Sequence, residues 1–296
     1  AEPEGWTFKR HYKSSASSSD LARLGYGWDH NYNIKVSTSS DVGASFGCRD
    51  LISMIPVVVG AYAAGDTYDS GGTALAWTTS ALCSKWAVDG IAENTLAVSL
   101  PPNTQLFVRK ADGDYRAPLG TQLSISGAPG AWIVSKPSGP HLHFNAEDCL
   151  ERIVDQDGRQ ADFTYNGSGL LETITDSHGR ILTLNYTSDR LTSLTDSLGR
   201  SVTFTQAGGL LTAITDSESK SRSYGYDAGG RLNLLTDAMN RPIVQSTYDD
   251  DGRVIQQKSE NDASKLWVLK YGETQTLVTD PAGNSTVYQF DKRRRM

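Results

Sequence analysis

From about residue 150 onward, apolar and polar positions recur in step. The run Leu171-Glu-Thr-Ile-Thr-Asp176-Ser-His-Gly179-Arg180 returns as Leu191-Thr-Ser-Leu-Thr-Asp196-Ser-Leu-Gly199-Arg200, and again as Leu211-Thr-Ala-Ile-Thr-Asp216-Ser-Glu-Ser-Lys220. Shorter echoes put Asp155, Asp237 and Asp280 in the same column, the last followed by Gly283, and Ser259 takes the Asp place between Asp237 and Asp280. The interval is 20 to 22 residues. A second column keeps pace: Tyr165, Tyr186, Gln206, Tyr226, Tyr248, Tyr271 and Phe290. Self-similarity at such a period is the mark of stacked repeats.

Each unit predicts a β-hairpin. Leu182, Leu184 and Tyr186 alternate with Ile181, Thr183 and Asn185, the two-residue period of a strand. β-branched and aromatic residues dominate, as strands favour. The Asp-Ser-x-Gly-Arg segments read as turns, in which Asp caps its own backbone and Gly takes a positive φ without steric cost. The opposite ends carry Asn166-Gly-Ser-Gly169, Thr187-Ser-Asp189, Gly208-Gly209 and Ala228-Gly-Gly230, again turn chemistry. Glycine every ten residues or so is incompatible with a helix. One hairpin cannot bury its apolar face alone, so neighbours must stack into a continuous sheet.

Composition narrows the class. With 296 residues, 38 % hydrophobic and 21 % charged, the chain holds one large or two ordinary folded domains. A net charge of −6 argues against a nucleic-acid partner, which leaves a basic footprint; the basic run at 292–295 reads as a solvated tail. The longest apolar run, residues 51–64, carries Pro56 and Gly60 and falls short of the roughly 20 residues that span a bilayer. It reads as two buried strands, or a strand and a turn. Cys48, Cys83 and Cys149 form no Cys-x-x-Cys pair and allow at most one internal disulfide. The chain opens Ala1-Glu2-Pro3, with neither an initiator Met nor a signal peptide, which fits a processed secreted protein or a piece of a longer chain.

The repeat, written x-x-[Ile/Leu]-Thr-Asp-x-x-Gly-Arg followed by Tyr-(Asp), resembles the YD repeat of Rhs proteins, with the pair itself at Tyr226-Asp227 and Tyr248-Asp249. A second stretch, Arg10-His-Tyr12-Lys-Ser14 followed by Leu24-Gly25-Tyr-Gly27-Trp28-Asp-His30-Asn-Tyr32, is similar to the lead-in that precedes such repeats in bacterial Rhs proteins. The segment from Leu106 to Pro118, through Asp112-Gly113 and Tyr115, resembles the hairpin closing that lead-in. The resemblance implies a β-ribbon spiralling into a hollow shell around a toxic C-terminal cargo, with bacterial secretion or surface display. No Rhs core signature, self-cleavage motif or toxin segment follows the repeats, so the chain is expected to be a piece of shell wall. Its partners would be toxin cargo or the remainder of a longer Rhs chain, with glycans or a cell-surface receptor as further possibilities.

Candidate chemistry is sparse. His141 and His143 lie two apart, as one face of a strand requires, and Glu147, Asp148 and Cys149 follow. They are the weak metal candidates, though a zinc hydrolase needs a third ligand and a base; a structural pair is the plainer reading. His11, His30 and His178 are scattered, and no Gly-x-Ser-x-Gly elbow occurs. Asp249 and Asp251 precede Gly252 and read as a hairpin turn before a calcium site. Trp6, Trp28, Trp77, Trp86 and Trp132 read as core of the N-terminal half. An exposed Trp or Tyr beside polar residues would instead make a sugar platform.

The sequence therefore predicts an all-β chain of antiparallel hairpin repeats forming a ribbon. Residues 1–146 are a lead-in β domain, 147–291 the repeat ribbon and 292–296 a basic tail. No cofactor, no membrane span and no enzymatic activity are expected. The leading expectation is a structural shell segment, secreted or at the cell surface. The alternatives are a carbohydrate- or receptor-binding module and a metal-dependent hydrolase.

Overall fold

The computed structural model of the protein describes residues 7–40, 92–110, 112–260 and 262–290, with positions 59, 60, 62, 78, 81, 82 and 85. Cys48, Cys83, Trp6, Trp77, Trp86 and the basic tail lie outside the described residues. The chain is nearly all-β. It divides into two compact units, Ala1–Asn31 with Thr164–Met296, and Tyr32–Phe163. Residues 7–31 thus group with the repeats.

One expectation fails locally. Val59, Gly60 and Tyr62 have helical backbone, and Val59 and Tyr62 are exposed, where buried strands were expected over residues 51–64. The run is rich in alanine (Ala61, Ala63, Ala64), the best helix former. The rest of it lies outside the described residues.

In chain order, β1 (Arg10–Tyr12) pairs antiparallel with β2 (Trp28–His30), Tyr12 opposite Trp28 and Arg10 opposite His30. Within Tyr32–Phe163, β3 (Lys35–Ser39), β4 (Thr95–Leu100), β5 (Asn103–Arg109) and β6 (Tyr115–Arg116) form a four-stranded antiparallel sheet. Its apolar side buries Val36, Leu96, Val98 and Phe107. β5 and β6 are the hairpin expected around Asp112-Gly113, with Val108 opposite Arg116. The same unit holds β7 (Ser124–Ser126), β8 (Ile133–Ser135), β9 (His141–Phe144), β10 (Leu150–Val154) and, up to Phe163, β11 (Gln160–Tyr165). Each pairs antiparallel with the next.

The repeats form a twelve-stranded antiparallel succession. Its first half is β12 (Leu171–Asp176), β13 (Ile181–Thr187), β14 (Arg190–Asp196), β15 (Ser201–Ala207), β16 (Leu210–Thr215) and β17 (Ser221–Tyr226). The second half is β18 (Leu232–Thr236), β19 (Pro242–Tyr248), β20 (Val254–Ser259), β21 (Leu266–Tyr271), β22 (Gln275–Thr279) and β23 (Ser285–Gln289). Every strand is hydrogen-bonded to the next. The succession is an open ribbon, and among the described residues no register closes it into a barrel.

A β-bulge sets which side chains are buried. The register slips by one between Asn185 and Tyr186, again between Thr205 and Gln206, between Gly225 and Tyr226, and between Thr247 and Tyr248. On the partner strands the unopposed residues are Thr192, Thr212, Asn233 and Ile255. Strict alternation puts residues three apart on opposite faces; one extra residue restores them to the same face. That is why Leu191 and Leu194, like Leu211 and Ile214, are both buried. The bulged threonines bond back across the strand pair, Thr192 Oγ1 to the Asn185 carbonyl at 3.0 Å and Thr212 Oγ1 to that of Thr205 at 3.1 Å. Each such leucine or isoleucine gains roughly 1.5–3 kcal/mol from burial.

Candidate functional site

The repeat chemistry begins at the aspartate turns. Asp176 Oδ1 accepts from the His178 and Arg180 amides, both at 2.9 Å, and Oδ2 accepts from Arg180 Nε at 2.6 Å. Asp196 with Arg200 and Asp237 with Arg241 repeat the pattern. So do Asp155 with Arg159 in the other unit, and Asp227 with Arg231 at the opposite hairpin end. Where arginine is missing the pattern changes. Lys220 turns to Glu218 instead of Asp216, and Asn284 Nδ2 serves Asp280 at 2.9 Å. Gly179, Gly199 and Gly283 hold φ between +74° and +87° in these turns. Ser259 leads into a longer connection, where Asp262 caps the Ser264 amide at 2.8 Å.

The guanidiniums act on the carboxylates' protonation. Hydrogen bonds from Arg200, first its side chain, hold the Asp196 carboxyl below its ordinary value, and Arg241 does the same for Asp237. At Asp176 desolvation pushes upward, yet the Arg180 amide and guanidinium outweigh it and the net direction is down.

The second column is a clamp. Tyr186 Oη donates to the Leu171 carbonyl at 2.9 Å, Tyr226 Oη to that of Leu211 at 2.6 Å, Tyr248 Oη to that of Leu232 at 2.5 Å and Tyr271 Oη to that of Val254 at 2.8 Å. Each bond joins the end of one strand to the start of the strand before it, closing the open end of the hairpin. Gln206 stands where the others have tyrosine, and its Nε2 donates to the Leu191 carbonyl at 3.1 Å. Burial pushes the Tyr186 and Tyr226 hydroxyls well above the ordinary tyrosine value and Tyr248 up to about 12. Phe290 has no hydroxyl; its amide bonds the Thr274 carbonyl at 2.7 Å.

Arginines link one clamp to the next. Arg190 Nη1 donates to Gln206 Oε1 at 2.9 Å, the Arg231 guanidinium lies 5.1 Å over the Tyr248 ring, and that of Arg253 lies 4.8 Å over Tyr271. Arg231 Nη1 also reaches the Asp249 carbonyl at 2.7 Å. Asp227 thus fixes an arginine that grips the tyrosine of the following unit, which accounts for adjacent Tyr and Asp in one repeat. These arginines were not singled out from the sequence; their signal is the position just after the turn, past Asp189, Gly230 and Gly252, and 16 to 18 residues before the next column residue.

The N-terminal motif is seated on the repeats. Trp28 Nε1 donates to Tyr226 Oη at 2.9 Å, and its ring meets Tyr224 edge-on at 5.0 Å. Tyr12 Oη accepts from the Leu232 amide at 2.9 Å, and its ring lies 5.4 Å from Trp28. The Tyr26 amide bonds the Gly209 carbonyl, and the Arg23 carbonyl accepts from both the Leu191 amide and Gln206 Nε2. Gly25 and Gly27 have φ of +108° and +79°. A Cβ on Gly25 would stand 2.8 Å from the Leu211 nitrogen, and one on Gly27 2.6 Å from the Tyr12 ring. His30 is buried and stacks at 4.9 Å on Phe8, which lies 6.1 Å from Phe204. Arg10 lies on β1 opposite His30. Tyr32, by contrast, belongs to the other unit and packs on Phe163 at 5.7 Å. Tyr165 ends β11.

The remaining candidates stay apart from this joint. His141 Nδ1 hydrogen-bonds Ser135 Oγ at 2.7 Å, and His143 lies opposite Ile133 and Arg152. Among the described residues no group of three or more His, Cys, Asp or Glu side chains is placed to hold a metal. Asp249 and Asp251 both pair with Arg253, which occupies the oxygens a calcium ion would need. Cys149 is a free, half-buried thiol. Among the described residues no helix is long and apolar enough to cross a membrane.

This geometry falls on a known family signature. The family described as RHS Repeat matches residues 207–238, a window that holds the Gly208-Gly209 turn, Leu211, Asp216, the Tyr226 clamp and Asp237. Residues 207–238 therefore carry an Rhs repeat. Two solved structures overlap it more widely. One is the crystal structure of TcdB2-TccC3-TEV, with 13 % identity and a TM-score of 0.31, covering 67 % of this chain. This Rhs-repeat chain spans only 15 % of that one. The other is a porin-like protein from Bacteroides uniformis, with 13 % identity over 67 % of this chain and 89 % of its own, at a TM-score of 0.30. No curated protein matches.

Proposed function

We propose that this Rhs-repeat chain is a structural shell segment, without enzymatic activity, that encloses or presents a C-terminal effector belonging to a longer Rhs protein secreted or displayed by a bacterium. The observation that carries the reading is the continuous interlock. Tyrosine clamps close successive hairpins, Arg190, Arg231 and Arg253 reach the column residue of the next unit, and the Arg10–His30 motif is hydrogen-bonded onto the same ribbon. Polar side chains of the repeats are spent on holding the ribbon together, which suits a wall.

The test uses the full-length gene product. Limited proteolysis should leave the sequence downstream of residue 296 intact while the ribbon is folded, and digest it once the ribbon is unfolded by denaturant. Digestion of the downstream sequence at the same rate in both conditions contradicts the reading. Turnover of an ester or phosphodiester that requires zinc and is lost in His141→Ala/His143→Ala would replace it with the hydrolase. Trp267 on β21, 42 % exposed, supports a sugar-binding alternative; specific glycan binding abolished by Trp267→Ala would establish that role.

A further inference from the structure

Two guanidiniums on the face of the sheet that carries the N-terminal motif lack a counter-charge. Arg222 lies directly opposite Ile214, which lies opposite Phe204, so the three share one face, and Tyr224 shares it two residues along β17. Phe8 packs on Phe204, and Trp28 packs on Tyr224. Arg10 sits between Phe8 and Tyr12 on the same side of the chain, over this part of the sheet. Its electrostatic neighbours are Tyr224 and Arg222, and no carboxylate is among them. Burial above all lowers the pKa of its guanidinium; Tyr224 acts in the opposite sense and Arg222 adds to the lowering. Among the described residues neither arginine has an ion-pair partner, and the Tyr224 hydroxyl has no acceptor. By contrast, the turn arginines Arg180, Arg200, Arg231, Arg241 and Arg253 are each held by an aspartate.

A half-buried guanidinium beside a second positive charge is unfavourable unless an anion joins them. The surroundings add to the imbalance: residues 7–31 carry Lys9, Arg10, Lys13 and Arg23 against Asp20 and Asp29, within a chain of net charge −6. Next to this cluster, Phe8 forms one wall of a cavity of about 610 Å³, with Leu182, Leu194 and Val202 among its apolar lining.

We infer that Arg10, Arg222 and the Tyr224 hydroxyl form a carboxylate-binding site for an acidic side chain of a polypeptide whose neighbouring apolar side chain enters the cavity beside Phe8. The planar forks of two arginines suit a carboxylate, and the apolar cavity favours a peptide over a free inorganic anion. The inference does not depend on what, if anything, the shell encloses.

Calorimetric titration tests it, with acetyl-Leu-Glu-Leu-Glu-amide, the matching Leu-Gln-Leu-Gln peptide and inorganic phosphate as probes. The Glu peptide should bind at least tenfold more tightly than the Gln peptide. Arg222→Met should remove most of that preference and Tyr224→Phe should reduce it severalfold, whereas Lys220→Met, an equal change of charge at an exposed turn, should leave it unchanged. Arg222 is exposed, so its variant tests the site even if Arg10→Met does not fold. Equal binding of the two peptides, or of neither, overturns the inference, as does an equal loss in Lys220→Met. Phosphate binding more tightly than the Glu peptide, with the same dependence on Arg222, would show an inorganic-anion site in place of a peptide site.

Discussion

Trp28 Nε1 donates a 2.9 Å hydrogen bond to Tyr226 Oη across 198 residues of sequence. The same hydroxyl donates its own hydrogen bond to the Leu211 carbonyl at 2.6 Å. The N-terminal motif and the tyrosine clamp are therefore one hydrogen-bonded structure, and the motif acts as an internal strut of the ribbon.

Replacing Trp28 by Phe keeps an aromatic ring against Tyr224 and removes the donor. The expected loss is about 1 kcal/mol for the hydrogen bond, whereas Trp28→Ala, which also empties the packing site, should cost about 3–5 kcal/mol. Denaturant unfolding measures both. In a double-mutant cycle with Tyr226→Phe, the Trp28→Phe effect should largely disappear, because the partner hydroxyl is already gone.

Gln206 is the most exacting test of the clamp column. It donates to the Leu191 and Arg23 carbonyls and accepts from Arg190. Gln206→Ala should therefore destabilise by roughly 1–3 kcal/mol by orphaning half-buried groups, although its side chain is neither aromatic nor apolar. A loss within the few tenths of a kcal/mol usual for surface changes would show that the column is merely a strand pattern.

Much of the fold was legible in the sequence because its signals are local. The Asp-x-x-Gly turns and the two-residue alternation of β13 depend on neighbouring residues alone. What escaped notice depends on partners far along the chain. Leu191 and Leu194 look like opposite faces until the bulge at Thr192 is known. Gln206 looks like a defect in the tyrosine column until its bond to Leu191 is seen. Arg190, Arg231 and Arg253 resemble ordinary turn residues until each meets the column residue of the next unit. The seating of Tyr12 on Leu232 and Trp28 on Tyr226 has no local signal. Nor could alternation reveal the helical backbone at Val59, Gly60 and Tyr62, where alanine-rich sequence outweighed a short apolar run.

Acid should weaken the repeats in a defined direction. Asp196 and Asp237, with net depression also at Asp176, titrate below the ordinary carboxylate value in the folded chain. The unfolded chain then binds more protons in that range, so this stabilisation is complete above the unfolded carboxylate value of about 4 and is lost as the pH falls through the lower folded values. Unfolding midpoints measured from pH 6 to pH 2 should decline most steeply below about pH 4. In Arg180→Lys/Arg200→Lys/Arg241→Lys the decline should be shallower, since lysine cannot reproduce the bidentate hold.

Gly25 and Gly179 both have positive φ, yet their surroundings differ. A Cβ at Gly179 meets open space, while one at Gly25 would strike the backbone of Leu211 and Gly209. Gly179→Ala should cost about 1–2 kcal/mol for the backbone conformation alone. Gly25→Ala should cost more, and should also expose residues 7–31 to trypsin at Lys9, Arg10, Lys13 and Arg23. Equal stability and equal trypsin resistance of the two variants would place the N-terminal motif away from the ribbon.

Amide hydrogen exchange gives the most direct reading of whether strut and repeats form a single cooperative structure. The Leu191, Leu232 and Tyr26 amides are bonded across the joint to Arg23, Tyr12 and Gly209, and in the unmodified chain they should exchange with the same opening free energy as the repeat amides of β15 to β18. In Trp28→Ala all of them should lose protection together. If the Leu191 and Leu232 amides keep full protection while Tyr26 alone exchanges freely, the N-terminal motif is an appendage and the account is wrong.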